Sequence, residues 1–262
     1  MGKILSIYYH NPKPEQLDRL LRRFTSKGYR FISVEELYSI LSEKKTVNEK
    51  LGFISLDDGW QGNLQLIPVL EKYNAHLCIF VTTEPLTSGN YWWEFITKER
   101  GREGMIKFKS LPYDVFCRQL ADAKRSIHLD RSSMTVDELK TISAHPLVSI
   151  QSHTVNHPIL TNVPDDVLKN ELTESKKILE SLCNSEIFAF SYPNGSLSDR
   201  EVIAVSKVYT IAFTVEQRHI KMMDNIILLP RVALAGDYYK DLLKIYGIWP
   251  AIKRLANIFK VR

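Results

Sequence analysis

Two carboxylates side by side, Asp57 and Asp58, precede Gly59, and two imidazoles, His153 and His157, stand four residues apart far downstream. Two imidazoles and a carboxylate form a ligand set for a divalent ion that leaves positions open for water and substrate. The spacing of His153 and His157 predicts that both rings share one face of a helical turn. Asp58 is expected to complete the set. Such donors suit zinc first, and also iron, cobalt, nickel or manganese. An extended chain sends Asp57 and Asp58 to opposite sides. A turn at Gly59 would let both flank one centre, one on the cation and the other facing water. Taken singly, Asp-Asp-Gly is an ordinary turn, and a histidine pair at this spacing arises by chance. Two further motifs lie at or just beyond the end of an expected strand, Tyr8-Tyr9-His10 and Tyr192-Pro193-Asn194-Gly195. The first brings a titratable His10. The second would line an acyl pocket with Tyr192 or with its backbone amides.

The elements that must position these residues alternate between strand and helix. Residues 4–9 are short, apolar and rich in β-branched and aromatic side chains, hence a strand. Residues 14–27 carry Leu17, Leu20, Leu21 and Phe24 at helical spacing, with Gly28 as the stop. Ser33 with Glu36, Thr135 with Glu138, and Ser198 with Glu201 have the capping-box pattern of helix starts. Further strands are expected at 52–56, 75–82, 147–151, 187–191, 211–215 and 226–229, and further helices at 61–72, 135–144 and 167–182. Strand–helix repetition implies parallel strands with crossover helices. It suggests a closed or distorted (β/α) barrel, with an open doubly wound sheet as the alternative. In a parallel barrel the loops after the strands build the site, so the four motifs are expected at one rim.

Residues 84–134 break the rhythm and read as an insertion over the barrel mouth. Its Trp92 and Trp93 would either stack on sugar rings or anchor the insertion to the body. Residues 1–237 then form one barrel domain, and residues 238–262 a basic amphipathic tail. The tail sets Trp249, Leu255, Ile258 and Phe259 beside Lys253, Arg254, Lys260 and Arg262. Such a segment rests on an anionic membrane face or packs on its own domain.

With 262 residues, 44% of them hydrophobic, the chain can bury a core without disulfides or a structural metal, so a metal here is expected to be functional. The net charge of +5 is mild, and no zinc-finger spacing, basic stripe or recognition helix points to nucleic acid. Cys78, Cys117 and Cys183 are too scattered for CxxC ligation and read as reduced thiols. The first apolar run is too short for a secretion signal. No run approaches the ~20 apolar residues that span a bilayer. The expected location is cytoplasmic, with peripheral contact at the inner membrane face through the tail.

Phe53-Ile54-Ser55-Leu56-Asp57-Asp58-Gly59 resembles the first motif of the polysaccharide deacetylases, the NodB-homology domain of carbohydrate esterase family four. Ser152-His153-Thr154-Val155-Asn156-His157 resembles the second motif and Tyr192-Pro193-Asn194-Gly195 the third. The likeness extends from Leu5 to about Leu234. It implies an α/β fold, a distorted (β/α)7-type barrel, and metal-dependent removal of N-acetyl or sometimes O-acetyl groups from glycans. It implies Asp57 as general base and Asp58, His153 and His157 as metal ligands. Tyr9-His10 resembles a branch active on poly-N-acetylglucosamine-type exopolysaccharides, in which an N-terminal histidine stands in for a late one. His10 is therefore the expected acid. There are two departures. Ser191 stands where many members carry an arginine, and the late Leu-x-His motif is missing, with only His219 nearby. Arg231 is the expected source of positive charge beside Asp57.

An amide is a poor electrophile with a poor leaving group. The ion is expected to polarise the acetyl carbonyl and acidify its water. Asp57 would take the proton, a backbone amide near Tyr192 would hold the oxyanion, and His10 would protonate the sugar amine. The expected substrate is an N-acetylated polysaccharide or its lipid-linked precursor, held by Tyr192, Pro193, Trp92, Trp93 and Arg231. The alternatives are a deformylase of a carrier-linked amino sugar, and a catalytically altered barrel that only binds glycans.

Overall fold

A computed structural model describes residues 3–252. The chain opens with β1 (Lys3–Tyr9) and α1 (Pro14–Thr25), which buries Leu17, Leu20, Leu21 and Phe24 as their spacing predicts. β2 (Tyr29–Phe31), α2 (Val34–Ser42), β3 (Lys50–Asp58), α3 (Ile67–Tyr73) and β4 (Leu77–Val81) follow. Three helices come next, α4 (Pro85–Ser88), α5 (Trp92–Phe108) and α6 (Tyr113–Ser126). The alternation resumes with α7 (Val136–Ser143), β5 (Val148–Ser152), α8 (Asp165–Cys183), β6 (Ala189–Ser191), α9 (Asp199–Ser206) and β7 (Ile211–Phe213). The last elements are β8 (Ile220–Lys221), β9 (Val232–Ala233) and α10 (Tyr238–Ile245).

The strands lie in the order β7-β6-β5-β4-β3-β1, each parallel to its neighbours. Residues 226–234 then bond to both edges. Leu229 exchanges backbone hydrogen bonds with Ala212 and Thr214 beside β7, while β9 runs parallel to β1 and Leu234 N donates to Tyr8 O. The sheet thereby curls back on itself as a distorted (β/α)7-type barrel.

Every residue of β3 except Lys50 is buried, as a parallel sheet covered on both faces requires. Period-two alternation puts Phe53, Ser55 and Asp57 on one face and Ile54 and Leu56 on the other. On the inner face Phe53 and Phe80 pack against Phe213, with ring centroids 4.9 and 5.3 Å apart. On the outer face Ile54, Leu56, Ile79 and Val81 join Leu17, Leu70, Leu139 and Leu172 of the surrounding helices in one cluster.

Several local expectations change. The helix expected over 61–72 divides into a tighter 3-10 turn at Gln61–Leu66 and α3. Pro68 falls in the first turn of α3, where its missing N–H costs nothing. The strand expected at 226–229 reduces to one bridge between Leu229 and Phe213. The Thr135–Glu138 box closes with both bonds, at 3.1 and 2.8 Å. At Ser33 only the Glu36 amide bond forms, because Arg30 takes the Glu36 carboxylate.

Between β4 and α7, helices α5 and α6 share a cluster of their own that includes Trp92, Phe95, Phe108 and Phe116. The start of the tail packs on its own domain, with Leu242 and Ile245 of α10 buried and α10 against α1. Leu255, Ile258 and Phe259, with Lys253, Arg254, Lys260 and Arg262, lie outside the described residues. No helix among the described residues is long and apolar enough to cross a membrane.

Candidate active site

Because β1, β3, β5 and β6 run parallel, the residues at or just beyond their ends meet at one rim. His10, Asp57, Asp58, His153, His157 and Tyr192 all line one cavity of about 480 Å³. At its floor, Asp58, His153 and His157 bring one ligand atom each within 4.8 Å of one another. The Nε2 atoms of both histidines lie 3.6 Å from Asp58 Oδ1. That oxygen is buried and has no hydrogen-bond partner among the described residues, while Oδ2 accepts from Trp60 Nε1 at 2.9 Å. A buried carboxylate oxygen without a donor is costly, and a divalent cation between these three ligands would satisfy it. His153 Nδ1 lies 2.7 Å from the Ser191 carbonyl. As an N–H donor there, it leaves Nε2 free as a ligand. Burial pulls both imidazoles below their ordinary range, which favours the neutral, ligating form. Burial also pushes the Asp58 carboxyl up, a penalty that a bound cation would reverse. The donor set fits a divalent ion with positions left open.

The backbone explains how these groups converge. Asp58 sits at φ +81° and Gly59 at φ +92°. Leaving the extended region at Asp58 lets consecutive carboxylates face the same cavity. A non-glycine residue in that region stores strain, a recurrent feature of functional sites. The helical turn expected around the histidines does not form. Residues 153–157 make an irregular loop with Thr154 at φ +71° and His157 at φ +54°, and the two rings meet edge to face at 4.7 Å. Buried Glu171 of α8 holds this loop. Its Oε2 accepts from the amides of Val155 and Asn156 at 2.8 and 2.9 Å, and its Oε1 from Asn156 Nδ2 at 2.7 Å. Thr154 Oγ1 accepts from His157 N, and Trp92 Nε1 donates to His157 O, both at 2.9 Å. These bonds replace those a helix would have made.

Asp57 is chelated by Arg231, with Nη1 to Oδ1 at 2.7 Å and Nη2 to Oδ2 at 2.9 Å. The guanidinium is fully buried. It also donates to Ser55 Oγ at 2.9 Å and Ser191 Oγ at 2.7 Å, and lies 4.3 Å over the Tyr8 ring. Burial by itself would raise the Asp57 carboxyl. The Arg231 charge, aided by His153 and the paired hydrogen bonds, overrides it and holds the group down at about 2.

The remaining expected residues divide. His10 is exposed at the rim, 5.7 Å from the Tyr8 ring. Tyr192 lines the cavity, and its buried hydroxyl has no partner among the described residues. Its backbone amide donates to Phe213 O at 3.1 Å, so that amide is not free to hold an oxyanion. Pro193 and Arg231 are buried and are not among the residues that line the cavity. Trp92 is buried in the cluster of the insertion and also lines the cavity. Trp93 is half-buried, stacked on Tyr91 at 4.7 Å and edge-on to His157 at 4.7 Å. Asn194, from the third motif, also lines the cavity, as do Trp60, Lys109 and Gln217, to which sequence reasoning assigned no role in the site. Lys109, just past α5, donates to Asn194 Oδ1. Burial pulls its ammonium below the ordinary range, partly offset by Asp58.

The polysaccharide deacetylase family profile matches residues 44–213. The chain belongs to the polysaccharide deacetylase family. YxkH of Bacillus subtilis, a protein named for the same family, is 24% identical over 207 residues. The match covers 78% of this chain and 58% of YxkH, so this chain spans less than two thirds of that relative's length. Among solved structures, the deacetylase PplD of Streptococcus pyogenes, in complex with acetate, superposes with a TM-score of 0.69 at 21% identity, covering 93% of this chain and 98% of PplD. IcaB of Ammonifex degensii gives 0.66 at 14% identity, with 95% and 98% covered. The deacetylase domain of BpsB from Bordetella bronchiseptica gives 0.64 at 13%, with 88% and 95% covered. At these identities the structural likeness speaks for the fold.

Within this polysaccharide deacetylase fold, the two departures noted in the sequence have different outcomes. Ser191 contributes a hydroxyl that bridges Arg231 and Asp57, and the cation arrives from the closing segment instead. His219 does not reach the cavity. Its Nδ1 accepts from Ser6 N at 3.2 Å and its Nε2 lies 2.8 Å from Ile245 O, tying β1 to α10.

Proposed function

We propose that this protein hydrolyses the N-acetyl group of an amino sugar in a polysaccharide or its lipid-linked precursor, using a divalent ion, zinc first, held by Asp58, His153 and His157. The observation that carries the reading is the buried, unpartnered Asp58 Oδ1 between two Nε2 atoms at 3.6 Å, next in sequence to an ion-paired Asp57. When bound, the ion supplies Lewis-acid polarisation of the acetyl carbonyl and acidifies water. Arg231 keeps Asp57 ionised and oriented, so its carboxylate is ready to take a proton from water entering the cavity. His10, exposed at the rim, would protonate the departing amine. Trp93 and Tyr192 bound the space for the acetyl group. Acetate, the ligand in the PplD structure, is the product such a reaction would release.

The test is acetate release from a panel of N-acetylated oligosaccharides and glycolipids with added metals, alongside metal analysis. Asp57→Asn should keep its metal and lose roughly 10²–10⁴ in rate. Asp58→Ala should lose both metal and activity. Full metal content and full activity in His153→Ala would remove the ligand assignment. Comparing a lipid-linked N-acetyl sugar with a soluble oligosaccharide separates precursor from polymer.

A further inference from the structure

The cavity wall carries one ammonium, Lys109, that makes no ion pair among the described residues. Arg231 is consumed by Asp57 beneath the wall. Asp58 belongs to the metal cluster. Lys109, on the insertion, lines the same cavity. Its backbone is pinned, with Asn162 Nδ2 donating to Lys109 O at 2.9 Å. Its ammonium meets the neutral carboxamide oxygen of Asn194 across the mouth. Among the described residues it forms no ion pair, and the cavity wall offers no further carboxylate. An ammonium has three donors, so this one faces the cleft with hydrogen-bonding capacity to spare. Holding a half-buried charge with no direct ion pair, and only partial compensation from Asp58, costs free energy, and a ligand oxyanion would return it. The position is fixed before any ligand arrives, which lowers the entropic cost of recognition.

We propose that Lys109 recognises an anionic oxygen group, phosphate or carboxylate, on or next to the acetamido sugar, so that the preferred substrate is a charged glycan rather than a neutral one. This rests on the deacetylase reading of the same cavity. Asn194 positions the ammonium, and the acetyl group occupies the deeper space near His157 and Tyr192. The anion therefore lies toward the insertion, on the sugar or on the adjoining residue.

The experiment measures calorimetric binding to the metal-loaded protein of N,N′-diacetylchitobiose, its reducing-end 1-phosphate, and an N-acetylglucosamine–glucuronate disaccharide. Acetate release is read in the same samples. The wild type should bind at least one charged ligand about tenfold or more tightly than the neutral one, as a charge-assisted bond predicts. Lys109→Met should bring that ratio close to one, and Lys109→Arg should retain most of it. Preference in the phosphate arm alone identifies the group as phosphate, and preference in the carboxylate arm alone as carboxylate. Equal affinities in all three arms for the wild type overturn the proposal. So does a Lys109→Met protein that keeps the preference, or one that weakens neutral and charged ligands equally, since either makes Lys109 only a latch to Asn194. Charged preference without acetate release would sink the deacetylase reading and leave the binding assignment standing. Acetate release without preference would do the reverse.

Discussion

The pairing of Asp57 with Arg231 is where a single residue has most leverage. The guanidinium is fully buried and makes two bonds to Asp57 and one each to Ser55, Ser191 and the Thr214 carbonyl. Removing one partner of a buried pair leaves the other charge uncompensated, at a cost of about 3–5 kcal/mol. Arg231→Met should therefore lower stability by that order in urea denaturation. It should also cost activity beyond what instability explains, because Asp57 would lose the charge that keeps it ionised. The double variant Arg231→Met/Asp57→Asn should recover much of the stability and none of the activity. A stable, fully active Arg231→Met protein would show that Asp57 needs no partner.

At the scale of elements, the loop between the two histidines depends on a helix that sequence pattern marks only as amphipathic. Glu171 lies on α8 and its carboxylate takes three hydrogen bonds from residues 155 and 156. Glu171→Ala would leave two backbone amides unpaired, each worth about 1–3 kcal/mol if still buried. The positive-φ geometry at Thr154 and His157 would relax. Loss of groups that orient metal ligands lowers metal affinity about 10–100-fold, and a drop of that size, measured with a competing chelator, is expected here. Glu171→Gln keeps an oxygen for the amides and should restore most of the affinity, whereas a purely structural role would move stability and spare affinity. This dependence marks where sequence reasoning stops. The convergence of the candidate ligand residues and the strand ends that carry them were legible, because parallel strands bury uninterrupted apolar runs and end in turn residues. The loop geometry was not, because it is made by contacts from α8 and the insertion. Arg231 could be suspected only from the missing third-motif arginine, since its place is set by closure of the sheet 174 residues from Asp57. β8 and β9, of two residues each, are too short to show alternation.

For the whole molecule, the question is whether the metal holds the fold together or only completes the site. Two extended clusters, one inside the barrel and one between sheet and helices, are assembled without any of the three ligands. The sheet closes through backbone bonds of residues 226–234, remote in sequence from Asp58, His153 and His157. Small metallodomains that lack such a core unfold when their ion is removed. Here chelation should abolish acetate release while leaving the far-ultraviolet dichroism and a cooperative melt. Ligand linkage at free metal 100–1,000 times its Kd is worth about 2.7–4.1 kcal/mol. For a domain of this size that corresponds to a fall in Tm of roughly 5–15 °C. Part of the fall comes from Asp58 Oδ1, which loses its cation inside a buried site. Because the apo barrel stays folded, adding back zinc, iron, cobalt, nickel or manganese one at a time should restore activity without a refolding lag. The order of recovery would then name the metal that works. Collapse of the melt on chelation at room temperature would instead make the ion a structural element, and the barrel core would have to be weaker than its packing implies.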